Sequence, residues 1–304
     1  MNLQELSTSR FGVGLSLFLG RTIPPGLSRP AGRVLADRFA ARRESAMVQA
    51  VRANQWVVRG ETCTPAELDT AVQAVFRHAG NCFIDLYHSL GDLRRQERLL
   101  PETPGMRAVI DHSRRKDGGL FLVAGHQSNF DLVLLALAQR GLQGQLLSFG
   151  NPTGGYEVQN RLRAEAGWEV TPIGPSALQK AIRRLQDGGV VATGIDRPIN
   201  PNDPQLNFFG RPAALPVGHV RMALMANARL VVVSSGMHPD GTYFAGFSEP
   251  IEMEHRSDKH EELVLNAERA LKMLEGPIRQ APEQWLMFYP VWPETLPLVN
   301  PVPG

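Results

Sequence analysis

The chain has 304 residues, of which 43% are hydrophobic and 20% charged, values that fit a packed globular protein and exclude a disordered one. Its formal net charge of +2 is too small to recruit nucleic acid. Its two cysteines, Cys63 and Cys82, lie apart with no metal-ligand spacing and read as free thiols in a reducing compartment.

The first informative stretch is Phe11–Gly20, apolar and flanked by Arg10 and Arg21. Ten helical residues reach roughly 15 Å, about half of a bilayer's hydrocarbon core, so the segment is too short to cross. It has no small-residue cleavage site of a signal peptide. A helix lying in the membrane interface is expected, although Leu15, Phe18 and Leu19 would equally pack on the domain. Residues 1–115 read as helical, with Ala31–Trp56 and Pro65–Leu90 as the main pieces and Thr64-Pro65 as a helix start.

From Gly118 the pattern changes. Leu120–Ala124, a short apolar run between glycines, predicts a buried strand, followed by a helix over Asp131–Arg140. Strands are then expected at Gln145–Phe149, Trp168–Pro172, Val190–Ile195, Leu230–Ser234 and Tyr243–Phe247. Helices are expected at Tyr156–Ala166, after Ser176, over Pro216–Ala228 and after Ser257. Alternating strands and helices give an α/β fold with a mostly parallel central sheet flanked by helices. The economical division is a single domain over 1–304, a helical region to 115 and an α/β core over 116–304.

Functional groups in such sheets gather beyond the carboxyl ends of the strands. His126 stands there, two residues after the first strand run, and Asp131 follows five positions later. On one continuous helix the two side chains would diverge by roughly 140°. They meet only if His126 lies in the turn and Asp131 in the first helical turn, with Ser128 or Asn129 as cap. An aspartate on one imidazole nitrogen fixes the tautomer and leaves the other nitrogen to take a proton from a hydroxyl. The spacing equally fits a histidine bonded to a backbone carbonyl and an aspartate at a helix start. No G-x-S-x-G elbow, dinucleotide fingerprint or phosphate loop accompanies the pair.

Asp196 and Arg197 end the run Val190–Ile195 and should face the same rim. Arg197 suits a phosphate or a thioester carbonyl, or else a structural ion pair. Phe208-Phe-Gly-Arg211 reads as an aromatic-basic loop, with Phe209 and Arg211 as candidates for a substrate groove. Asn129 positions His126 or caps the helix.

The segment Ala124-Gly-His-Gln-Ser-Asn-Phe-Asp-Leu132 resembles the His/Asp motif of the bacterial lipid A biosynthesis acyltransferases (the lauroyl and myristoyl transferases) and of the related phosphatidylinositol-mannoside acyltransferases. Gly189–Pro198, Asn207–Gly218 and the Pro-x-x-Trp segment Pro282–Trp292 are similar to further segments of that family, in the same order over most of the chain. The resemblance implies a glycerolipid-acyltransferase-like fold and a peripheral place on the cytoplasmic face of the inner membrane. It also implies acyl transfer from acyl carrier protein or coenzyme A to a lipid hydroxyl. His126 would be the base and Asp131 its orienting partner, with Asn129, Asp196, Arg197, Phe209 and Arg211 around the substrates. No metal or prosthetic group is called for. A catalytically silent lipid-binding protein and an acyl-thioester hydrolase stay open as alternatives.

Overall fold

The computed structural model describes residues 25–152 and 154–300; the expected interfacial segment near 11–20 lies outside them. Among the described residues five helices come first: α1 (Pro25–Ala40), α2 (Ala46–Val58), α3 (Pro65–Ser89), α4 (Leu93–Leu99) and α5 (Pro104–Arg115). The single helical stretch expected over 31–56 is divided in two. The chain turns through Ala41–Glu44, and extended backbone at Ser45 restarts the helix. Helix α3 begins where Thr64-Pro65 predicts, with Thr64 and Glu67 forming a reciprocal capping box and Pro65 in the first turn, where a missing N–H costs nothing. Arg77 of α3 clasps Asp37 of α1 through two hydrogen bonds.

The α/β part runs β1 (Leu120–Ala124), α6 (Phe130–Gln139), β2 (Gly144–Ser148), α7 (Gly155–Ala166), β3 (Glu169–Pro172), α8 (Pro175–Gln186) and β4 (Val190–Gly194). It continues through β5 (Gln205–Phe208), β6 (Arg211–Ala214), α9 (Gly218–Ala226), β7 (Arg229–Met237), β8 (Tyr243–Phe247), α10 (Lys259–Gln280) and a short terminal α11 (Leu296–Val299). The main sheet has the order β3-β2-β4-β1-β7-β8 and is parallel except for β8. Only five residues, His238–Thr242, join β7 to β8, a hairpin length that leaves no room for a parallel crossover.

Strand alternation divides the core. Phe121 and Val123 of β1, Val191 of β4 and Leu230 and Val232 of β7 belong to one cluster, with α8, α9 and α10. Leu120, Leu122, Val190, Ala192, Val231 and Val233 belong to the other, with α5 and α6. β1 is thus buried on both faces, which is why its sequence is apolar without alternation. Phe121 is fully buried, worth about 1.5–3 kcal/mol.

The expected loop at 208–211 is instead the tip of a second, two-stranded sheet, β5 with β6. Phe208 pairs with Arg211 across a two-residue turn in which Phe209 and Gly210 both have positive φ, 57° and 82°. That geometry matches the twist of a hairpin and is free for Gly210 but costly for Phe209. Packing holds Phe209 there: its ring contacts Phe208 and Trp285, and its N–H donates to Glu275 at 2.8 Å.

Candidate active site

Parallel pairing between β1 and β4 sets Ala124 opposite Gly194. Two residues further along each strand stand His126 and Asp196, so the register itself delivers the imidazole to the carboxylate. His126 Nδ1 lies 2.6 Å from Asp196 Oδ1, and the His126 backbone N–H donates to Oδ2 at 2.8 Å. The indole N–H of Trp285 donates to the same Oδ2 at 2.8 Å. Asp196 is fully buried. Burial alone would raise its carboxyl, but the charge on His126 and the hydrogen bonds from His126 and Trp285 outweigh it and hold Asp196 below the usual carboxylate range. An ionised carboxylate only accepts, so Nδ1 carries the proton facing it, and in the neutral imidazole Nε2 is the nitrogen left to accept.

Two glycines allow this approach. A Cβ on Gly194 would sit 2.9 Å from His126 Cε1, and one on Gly125 would sit 3.1 Å from Asp196 Oδ2.

The turn carrying His126 is fastened by a segment from far along the chain. Leu286 N–H donates to the His126 carbonyl (2.7 Å), and Ser128 N–H donates to the Gln284 carbonyl (2.6 Å). Ser235 donates its hydroxyl proton to the Gln127 carbonyl at 2.5 Å. Ser128 adopts φ 44°, a left-handed conformation unusual for serine. Its Oγ is 3.0 Å from Nε2 of His78, a buried imidazole whose pKa burial lowers to about 4.

His126 opens onto a cavity between α6 and the sheet. One side of it is apolar, built from Leu122, Val133, Leu137, Leu146, Ala192 and Val233; His126, Tyr156, Arg163 and Arg197 supply polar lining. Phe130 sets its ring edge-on to the imidazole at 5.4 Å between centroids.

The expected partnership of His126 with Asp131 is corrected here. Asp131 occupies the first turn of α6, and its carboxylate turns toward α7, where Arg163 Nε donates to it at 2.7 Å. Asp196 rather than Asp131 meets the imidazole. Asp196 is likewise no substrate ligand, being sealed beneath His126 and Trp285. Asn129 is also buried: it caps α6 by accepting from Leu132 N–H and donates to the Cys82 carbonyl, so it fixes the turn. Phe209 lies in the aromatic cluster of Phe208, Trp285 and Trp292, and Arg211 pairs with Glu61 over the Trp56 ring; neither lines the cavity. Arg197 does line it. Trp285 is the contributor that residue spacing did not reveal, and its one signal was its place in the Pro-x-x-Trp segment.

The fold and site together define an α/β protein with a His–Asp pair at adjacent strand ends and an apolar cavity beside it. Residues 9–294 match the family described as bacterial lipid A biosynthesis acyltransferase, and the chain belongs to that family. Over 142 residues it is also 25% identical to a phosphatidylinositol mannoside acyltransferase of Mycobacterium tuberculosis, found in two strains. That stretch covers 45% of this chain and 45% of the relative, so the chain spans less than half the length of the curated proteins it matches. Among the described residues no helix is long and apolar enough to cross a membrane.

Proposed function

We propose that this protein transfers a fatty acyl group from an acyl thioester of acyl carrier protein or coenzyme A to a hydroxyl of a membrane glycolipid. His126 is the general base and Asp196 the carboxylate that orients it. The observation that carries this reading is the arrangement of one imidazole: Nδ1 tied to a buried carboxylate, Nε2 without a protein partner among the described residues, and an apolar cavity alongside. The acyl chain fills the apolar side. The acceptor O–H donates to Nε2 and gives up its proton as the oxygen attacks the thioester carbonyl. Asp196 stabilises the imidazolium so formed. Collapse of the tetrahedral intermediate breaks the C–S bond. The proton held on Nε2 goes to the departing thiolate, giving ester and free thiol. Positioning two substrates beside one base supplies much of the acceleration, and no nucleophilic residue is required.

On this reading the protein works as a peripheral enzyme on the cytoplasmic face of the inner membrane, where a lipid acceptor and a water-borne thioester donor can meet. The test uses purified protein, labelled acyl carrier protein or acyl-coenzyme A, and extracted membrane lipids, with His126→Ala in parallel. Label entering a lipid with the wild type and lost with His126→Ala is the expected result. Label appearing only as free fatty acid would make the protein a thioester hydrolase. Lipid binding without turnover of either donor would make it a lipid-binding protein.

A further inference from the structure

Among the described residues two guanidinium groups line the cavity, and they differ in one respect. Arg163 is matched: its Nε donates to Asp131 and its Nη1 to Asn160. Arg197 pairs with no carboxylate among the described residues. Its one hydrogen bond there runs from Nη1 to the Tyr156 hydroxyl, and its Nε is buried without a partner. Three rings enclose it, with Tyr289 3.8 Å, Phe149 4.7 Å and Tyr156 5.3 Å from the guanidinium carbon.

A guanidinium carries five N–H donors in a fixed plane. Aromatic faces accommodate its charge through their π systems but accept little at its edge. Arg197 is therefore held over the Tyr289 ring, relieved of part of its water, and left with most of its donors unspent. The nearest carboxylate in sequence, Asp196, is already committed to His126 and Trp285. Asp131 is committed to Arg163. A fork of unused donors in a partly desolvated setting is complementary to a tetrahedral oxyanion, which takes two of them at once.

We propose that Arg197, seated between Tyr289, Phe149 and Tyr156, is a phosphate-binding subsite of the cavity. The proposal rests on the acyl-transfer reading for its substrates but not for its test. Both substrates of that reading can bear the required chemistry: the donor through the phosphate of its phosphopantetheine arm, and an acceptor with a phosphorylated headgroup through that group.

Binding is measured by calorimetry on the full chain, with matched probes. Inorganic phosphate is the minimal ligand. Pantetheine 4′-phosphate against pantetheine reports on the donor, and dihexanoyl phosphatidic acid against dihexanoylglycerol on the acceptor. The wild type should prefer the phosphorylated member of one pair by about tenfold or more, the range of a charge-assisted bidentate contact. Arg197→Gln should abolish that preference, and Arg197→Lys, which keeps charge but not the fork, should restore part of it. His126→Gln should leave it intact, which separates this subsite from the acyl-transfer reading. The pair that discriminates identifies the source of the phosphate. Equal binding of both members of each pair by the wild type, or an undiminished preference in correctly folded Arg197→Gln, overturns the proposal. If Arg197→Gln does not fold, Arg197→Lys decides alone: an unchanged preference overturns the subsite.

Discussion

Two aspartates stand close to the same cavity and have been given opposite employment. Asp196 is fully buried and shares its two oxygens among His126 and Trp285; Asp131 is slightly exposed and answers Arg163. Asp131 is five residues from His126 and misses it, whereas Asp196 is seventy residues away and meets it. The difference teaches that a short motif records which residues share a turn, while strand register decides which carboxylate reaches the imidazole. Asp131 serves the wall of the cavity, joining α6 to α7, and Asp196 holds the imidazole of His126.

The sharpest way to break that comparison is Asp196→Asn, which keeps the shape but presents an amide to Nδ1 and invites the wrong tautomer. Transfer should fall by roughly a thousandfold or more, as when a comparable buried aspartate is lost. Residual activity near wild type would remove Asp196 from the mechanism.

Gly194→Ala is next. The added methyl would press on His126 Cε1 at 2.9 Å, and displacing a base by a fraction of an ångström to an ångström costs up to about a hundredfold in kcat. Steady-state kinetics should show the loss in kcat with KM for the donor little changed.

Asp131→Asn should cost less in rate, about tenfold at most, and show itself more in stability. Arg163 and Asp131 are nearly buried, so an unmatched guanidinium is left behind, a loss of up to about 3 kcal/mol in denaturant unfolding. A drop in kcat as large as that of Asp196→Asn would reinstate Asp131 as the orienting group.

The remaining effect, on stability alone, concerns acid. Burial lowers His78 and His219 to about 4, against about 6.5 in the unfolded chain. Both are depressed in the folded state, so between these values the unfolded chain binds more protons. Their contribution is complete above pH 6.5 and is lost as pH falls toward 4, at most about 3 kcal/mol each. His219→Asn should flatten that slope in urea titrations at pH 7 and pH 4.5. An unchanged slope would mean that His219 titrates normally.

Much of the architecture is legible from local pattern because local physics decides it. The β1 run between glycines, the Thr64-Pro65 start of α3 and the helix α10 after Ser257 all fall where expected. The hairpin of β5 and β6 was hidden because its turn places a phenylalanine at positive φ, a choice that only the surrounding aromatic cluster makes tolerable. The antiparallel orientation of β8 follows from the short link after β7 and not from alternation, which marks a strand but not its direction. At the site, the position of His126 followed from the end of β1. Its partner did not, because the pairing of β1 with β4 and the arrival of Trp285 are long-range events that no spacing encodes.

The fastening of the catalytic turn by residues 284–286 has a consequence for how the protein comes into being. During synthesis His126 emerges from the ribosome well before Gln284, Trp285 and Leu286, at a pace of roughly 5–20 residues per second. Until those residues arrive, the carboxylate of Asp196, once made, lacks its indole donor, and Ser128 lacks its carbonyl partner. The nascent chain therefore carries His126 without the groups that hold it in place, and a product cut short before Gln284 would lack the Trp285 donor to Asp196.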